Sequence, residues 1–434
     1  MDPVTTPEDT TADTQDPSGP DAEGAPEAPP AELLTLRDGL PEVIDTDAGL
    51  AEACAAIAGG TGPVAIDAER ASGYRYSARA YLVQLRREGS GTFLVDPIAF
   101  DSLEELQEVL RGTEWILHAA TQDLPCLREV GLRPDALFDT ELAGRLLGHP
   151  RVGLATLVET QLGKRLRKEH SAQDWSTRPL PEPWLEYAAL DVEALVELRA
   201  VLADQLEEAG KAEWARQEFE ALLDHQAPVR VDAWRRTSGM HKVRGRRGLA
   251  AVRELWLRRD EVAASRDVTP GRIIPDSAIV AAAQALPTER RALLSTPGFH
   301  GRGASRYASR WVEALRLAVE MDEADLPPRS PRSDGPPLPR AWAERDPVAA
   351  ERLSLARAEL AGLAEAHAVP TENLMTPDLV RRVLWEPPAT RDPEQLAVEV
   401  DAALRRLGAR AWQVELVAPV LVRAVLAAEA STDD

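Results

Sequence analysis

Pro63-Val64-Ala65-Ile66-Asp67-Ala68-Glu69 is the stretch on which the reading of the fold turns. A short apolar run that ends abruptly in acids reads as a buried strand. Side chains two apart on a strand share a face. Asp67 and Glu69 therefore leave the end of this strand on the same side. Two carboxylates that close repel each other, and a cation between them offsets the repulsion. Taken alone, such a pair is a weak signal, since most are solvated strand ends.

Working outward, Ala80-Tyr81-Leu82-Val83-Gln84-Leu85-Arg86 alternates with period two. Thr92–Val95 is a third short strand, stopped by Asp96-Pro97, and Glu114–His118 is a fourth. Helical periodicity then takes over in Leu103–Leu110, Leu124–Val130, Thr140–Leu147 and Trp184–Leu206. This order predicts an α/β domain over residues 34–226, a mixed sheet flanked by helices. Strand signals vanish after Pro228. Residues 227–320 read as a compact helical module, 321–345 as a Pro-rich linker and 346–428 as a second all-α helical module. Residues 1–33 are acidic, Pro-rich and poor in large apolar side chains, and are predicted to be disordered.

The 434 residues carry a net charge of −22, which looks wrong for a nucleic-acid enzyme. The charge is unevenly spread. Residues 1–33 carry −9, residues 34–226 carry −15 and residues 321–434 carry −7, while residues 227–320 carry +9. A basic segment in an acidic chain is the footprint of a phosphate-binding module. The two cysteines, Cys54 and Cys126, cannot form a cysteine-based zinc site, and the histidines show no ligand spacing. Any metal is therefore expected to be hard and oxygen-bound. No run approaches the ~18 consecutive apolar residues of a membrane helix. The start lacks the basic and apolar regions of a secretory signal. A cytoplasmic protein with no membrane partner is expected.

Three further features matter. Tyr187 and Asp191 are four apart on a helical pattern, hence neighbours on one face. Asp123 falls between the Glu114–His118 strand and the Pro125 that suits a first helical turn. Asp139, before Thr140-Glu141, is the better capping candidate and is kept outside the metal set. Each has a bland reading: a surface Tyr–Asp hydrogen bond, or plain capping.

Together, D-x-E at 67–69, Asp123 and Y-x-x-x-D at 187–191 resemble the Tyr branch of the DEDD superfamily of 3′→5′ exonucleases. The other branch has His five residues before the last Asp, where this chain has Glu186. Gln173-Asp174-Trp175-Ser176-Thr177-Arg178-Pro179-Leu180 resembles the D-W-x-x-R-P-L segment of the ribonuclease D family. Leu82-Val83-Gln84-Leu85 and Leu117-His118-Ala119 are similar to family positions too, so the likeness spans roughly residues 40–210. Arg253–Arg266, Ile273-Ile274-Pro275-Asp276 and Pro297-Gly298-Phe299 resemble the HRDC domain. Residues 346–428 resemble a divergent second copy. Arg70 and Ala71 depart from the family, which often places a bulky apolar residue after the Glu.

The resemblance implies a ribonuclease H-like fold. It also implies hydrolysis of RNA 3′ ends to 5′-mononucleotides, with two divalent ions, Mg²⁺ or Mn²⁺. Asp67 would bridge both ions, Glu69 and Asp191 would ligate the one that activates water, and Asp123 would complete the second site. Tyr187 would orient the attacking water. Lys168, Gln173 and Arg178 are candidates for the substrate backbone. In the basic run, Lys242, Arg244, Arg246 and Arg247 are candidates for RNA phosphates. His118 and His170 read as structural polar residues. The expected partner is RNA with a single-stranded 3′ end, tRNA precursors included, with no nucleotide cofactor, and a monomer is favoured. The alternatives are a DNA 3′→5′ exonuclease with the same site, or a nucleic-acid-binding protein whose exonuclease domain is idle.

Overall fold

The computed structural model describes residues 31–167, 172–226, 230–330 and 335–430. Of residues 1–33, expected to be disordered, 1–30 lie outside that range, as do Lys168 and His170, whereas Glu32 and Leu33 form a short strand paired with Lys164 and Arg165, which corrects that boundary.

Eight strands occur among the described residues: β1 (Glu32–Leu33), β2 (Val43–Ile44), β3 (Thr61–Arg70), β4 (Ala80–Glu88), β5 (Gly91–Val95), β6 (Glu114–Leu117), β7 (Ala136–Asp139) and β8 (Lys164–Arg165). β1 pairs with β8 alone, and the other six form one sheet in the order β2-β5-β4-β3-β6-β7. β3, β4 and β5 are antiparallel, and β6 and β7 extend the sheet in parallel from β3. β3 is central, so its middle is buried on both faces, and Val64-Ala65-Ile66 there is an unbroken apolar run. The helices are α1 (Asp47–Gly59), α2 (Glu104–Leu110), α3 (Leu124–Glu129), α4 (Thr140–Leu146), α5 (Leu154–Leu162), α6 (Glu182–Glu193), α7 (Leu195–Glu208) and α8 (Ala212–Leu223).

The expected mixed sheet flanked by helices is thus present. The single helix expected over Trp184–Leu206 is two, α6 and α7, meeting at Ala194, which has φ −98° and ψ −8°. Just before the break, Glu193 turns into the protein. Its carboxylate meets Arg86 at 3.1 Å and Arg37 at 3.2 Å.

The basic module follows as α9 (Gly245–Arg266), α10 (Pro270–Ile273), α11 (Asp276–Ala285), α12 (Arg290–Leu294), α13 (Arg302–Arg306) and α14 (Ala308–Glu320). It has its own core around Leu255, Phe299, Trp311 and Leu315. The last module holds α15 (Trp342–Arg345), α16 (Pro347–Ala366), α17 (Thr371–Leu374), α18 (Pro377–Trp385), α19 (Pro393–Arg406) and α20 (Ala411–Ala430); α15 falls in the stretch expected to be linker, and its Trp342 is fully buried in the module's core, so the module begins earlier than expected. Its core runs without a break into that of the α/β domain. The Trp214 and Trp412 rings stack at 4.7 Å. Lys211 Nζ donates to the Leu146 and His367 carbonyls, each at 2.6 Å. α20 meets the length and mean hydropathy of a membrane span, but Gln413, Glu415 and Arg423 interrupt its apolar run, and most of it is buried, packed against α16 and α19.

The basic module docks by polar contacts on the loop that follows β3. Asp267 accepts from the Tyr76 and Ser77 amides at 3.1 and 2.8 Å and from the Tyr81 hydroxyl at 3.3 Å. The Thr269 amide donates to Tyr74 O at 3.0 Å, and the Arg272 guanidinium lies 4.4 Å from the Tyr74 ring centre. Asp267 has φ +45°, a conformation glycine adopts without strain. Asp267→Gly therefore removes the carboxylate and little else. We expect it to cost about 2 kcal/mol and to speed amide hydrogen exchange at Tyr76 and Ser77 ahead of that in β4. Unchanged exchange there would mean that Asp267 does not hold the loop.

Candidate active site

Four acids converge at the end of β3. Asp67 and Glu69 project from one face of that strand. Across β4 they oppose Gln84 and Leu82, and Gln84 is fully buried. α6 packs on β3, β4 and β5. One turn apart on it, Tyr187 donates a hydrogen bond to the Asp191 carboxylate. Asp67, Glu69 and Asp191 each offer an oxygen within 4.8 Å of the others. Asp123 sits before α3, only 5% exposed, and its side chain does not cap that helix. Its position at a helix start is thus not explained by capping.

Asp139 does the capping, as its sequence position suggests. It accepts from the Glu141 and Leu142 amides at 2.9 and 3.1 Å, and from the Ala119 and Ala120 amides at 3.1 and 2.8 Å. The second pair fixes the turn after β6, where Ala119 takes the left-handed value φ +59°. That turn leads directly to Asp123. One buried carboxylate thereby ties α4 to the loop that presents another.

The electrostatics follow from burial. Burial pushes the Glu69 carboxyl up to about 10, with Asp67, Asp191 and Asp123 adding repulsion. Asp123 is pushed well above the carboxylate range by burial and then Asp67. Asp191 is pushed up by the same two causes, partly offset by the Tyr187 hydroxyl. Asp67 rises by burial, partly offset by the Ala68 amide and Arg70. Tyr187 rises too, from burial and then Asp191, and so stays a phenol. Burial and repulsion thus disfavour the ionised acids, and a cation among them would offset both. An all-oxygen donor set suits a hard divalent ion.

The cluster lines a cleft of about 940 Å³. Gln122 and Arg167 also line it, and sequence reasoning missed both. Gln122 adjoins Asp123, which was the available signal. His118 is at the wall, its Nδ1 2.9 Å from Thr140 Oγ1. Burial lowers it to about 4, so it is neutral and structural at ordinary pH.

The candidate nucleic-acid contacts divide. Gln173 lines the cleft. Lys242 and Arg244 are exposed on the basic module and have no ion pair among the described residues. Arg178 does not face substrate. Its guanidinium clasps Asp96 at 2.5 and 2.7 Å and donates to the Tyr81, Trp175 and Thr177 carbonyls. Arg246 and Arg247 are likewise spent on the protein. Arg246 bonds the Leu326 and Pro327 carbonyls, and Arg247 bonds the Ala318, Val319 and Met321 carbonyls and the Glu323 carboxylate. Arg247 closes the end of α14, where the last carbonyls lack helical partners, and Arg246 holds the segment that follows it.

Residues 41–207 match a family model described as a 3′-5′ exonuclease, and residues 248–315 match the HRDC domain. Residues 335–425, expected to be a second HRDC-like module, match a separate model, the 3′ to 5′ exonuclease C-terminal domain. Ribonuclease D of Nitrobacter hamburgensis is 30% identical over 359 residues, which cover 79% of this chain and 88% of that protein. A crystal structure of a protein from Bifidobacterium adolescentis superposes with TM-score 0.83 at 36% identity, covering 91% of this chain and 99% of the other. Escherichia coli RNase D, described as an exoribonuclease involved in structured RNA processing, superposes with TM-score 0.63 at 25% identity, covering 84% and 98%.

The raised carboxyls set a pH dependence. Between its ordinary value near 4.5 and about 10, Glu69 binds more protons folded than unfolded. Stability therefore falls as pH rises through that window. Chelator-treated protein should melt lower at pH 8.5 than at pH 6. Added Mg²⁺ should raise the melting temperature, and more so at the higher pH. A gain independent of pH would mean that the ion binds elsewhere.

Proposed function

The chain belongs to the ribonuclease D family and is a 3′→5′ exoribonuclease, and from that premise we propose that it shortens single-stranded RNA 3′ ends to 5′-mononucleotides at Asp67, Glu69, Asp123 and Asp191, with two divalent ions, Mg²⁺ or Mn²⁺. The observation that carries this reading is the buried four-carboxylate cluster, in which burial and mutual repulsion oppose ionisation and a bound cation would offset both. When bound, the ions would supply positive charge beside the attacking water and the leaving 3′-oxygen.

The chain's own residues do the rest. Asp67 and Glu69 offer oxygens from one strand face, and Asp191 offers one from α6 opposite them. Asp123 approaches from the β6–α3 turn, its carboxylate not committed to capping. Tyr187 remains protonated, so it serves as a hydrogen-bonding group that orients the water rather than as a base. Gln173 at the cleft wall, together with Lys168, is proposed to steady the strand entering the site. Lys242 and Arg244 are proposed to take phosphates further along the strand, giving affinity without reading sequence. The substrates we propose are tRNA precursors and similar RNAs with unpaired 3′ ends, met in the cytoplasm.

The test is digestion of a 5′-labelled RNA with an unpaired 3′ tail, beside its DNA counterpart, in Mg²⁺ or Mn²⁺. The expected result is a ladder shortening from the 3′ end of the RNA, with 5′-mononucleotides released. Asp67→Asn or a chelator should reduce the rate by roughly a thousandfold or more. Tyr187→Phe should lower kcat by roughly tenfold while leaving KM near its original value. Full activity in Asp67→Asn would remove the cluster from the mechanism, and equal shortening of the DNA would remove the RNA preference.

A further inference from the structure

Arg70 directly follows the metal-binding pair and has no role in the mechanism above. On an uninterrupted strand its side chain would point away from Asp67 and Glu69. The pairing of β3 with β4 slips at this point: Glu69 still opposes Leu82, but Arg70 opposes Ala80. Such irregularities at the end of a strand re-aim the side chain that follows. Arg70 accordingly lines the same cleft as Asp67, Glu69 and Asp123.

Its guanidinium has no hydrogen bond and no carboxylate within ion-pair distance among the described residues. The other arginine of the cleft, Arg167, is already held by Glu186 at 3.0 Å. Arg70 is only partly exposed. A half-buried guanidinium is normally paired, and here no described residue supplies a partner. In a strand shortened from its 3′ end, every non-scissile phosphate lies on the 5′ side of the bond being cut.

We propose that Arg70 is a substrate-binding residue that takes a non-scissile backbone phosphate of the RNA, on the 5′ side of the bond being cut. Planar guanidinium donors match phosphate oxygens in a two-pronged contact. The contact supplements the acids, which bind the strand only through cations, and it fixes the register of the strand end over the site. The assignment rests on the proposed function.

The test compares the full-length chain with Arg70→Ala, Arg70→Gln and Arg70→Lys on two substrates. One is a 5′-labelled oligouridylate. The other is the p-nitrophenyl ester of uridine 5′-monophosphate, a diester that keeps the terminal nucleotide but has no second phosphate. Arg70→Ala should raise KM for RNA by roughly tenfold to a hundredfold and flatten the log–log salt dependence by about 0.7. Its loss on the ester should be much smaller, and Arg70→Lys should keep most of the salt slope. Arg70→Gln gives the same reading should the alanine variant fold poorly. Unchanged KM and slope would overturn the proposal. So would an equal loss on the ester, whether from a shifted Mg²⁺ requirement or from lost contact with the terminal base. RNA binding in Ca²⁺, without turnover, measures the Arg70 contribution separately. Weakening there supports the assignment even if the wild type leaves RNA uncut, a result that would count against the proposed function alone.

Discussion

Like-charge crowding is the constraint on which the rest of this structure depends. Four acids are brought into one largely buried cluster, where burial and mutual repulsion both oppose their ionisation. Folding alone gives no reason to gather them. The surrounding structure holds them there by spending other polar groups on position. Asp139 fixes the turn that presents Asp123. Glu193, just past Asp191, is anchored by Arg86 and Arg37. Arg178 clasps Asp96 at the end of β5, and Trp175 is fully buried against Trp184 of α6. The segment before the last motif is thus a latch for the helix that carries Tyr187 and Asp191.

The two helical modules attach to this domain by different physics. The C-terminal module shares the domain's apolar core and is joined to it through Trp214, Trp412 and the buried Lys211. The HRDC domain keeps its own core and meets the α/β domain through Asp267, Thr269 and Arg272. Polar docking of this kind is individually weak, but it acts on the loop between β3 and β4. Ser72 and Gly73 of that loop line the cleft. The basic module thereby touches the element that runs straight out of β3.

Much of this was legible in the sequence. The long strands announced themselves by alternation or unbroken apolar character, and the acids by order and spacing. The strand Ala136–Asp139 and the two-residue strands are too short for any period to show. The break at Ala194 has neither proline nor glycine to mark it. Charge was the least legible property. Arg178, Arg246 and Arg247 look like phosphate ligands in a list of basic residues, yet each is consumed by carbonyls and carboxylates of the fold. Arg70 is the reverse case. Strand periodicity directs it away from the site, and only the slip in register turns it in. Whether a guanidinium faces substrate depends on which carbonyls the tertiary structure leaves near it, and a single sequence does not record that.

The central claim is that the carboxylate cluster is a divalent-metal centre. The most direct measurement is anomalous diffraction from crystals of the full chain soaked with Mn²⁺ and uridine 5′-monophosphate. The account predicts one Mn²⁺ peak among Asp67, Glu69 and Asp191 and a second between Asp67 and Asp123, with the nucleotide phosphate against both. Mn²⁺ bound only elsewhere, with the four acids unliganded, would contradict it.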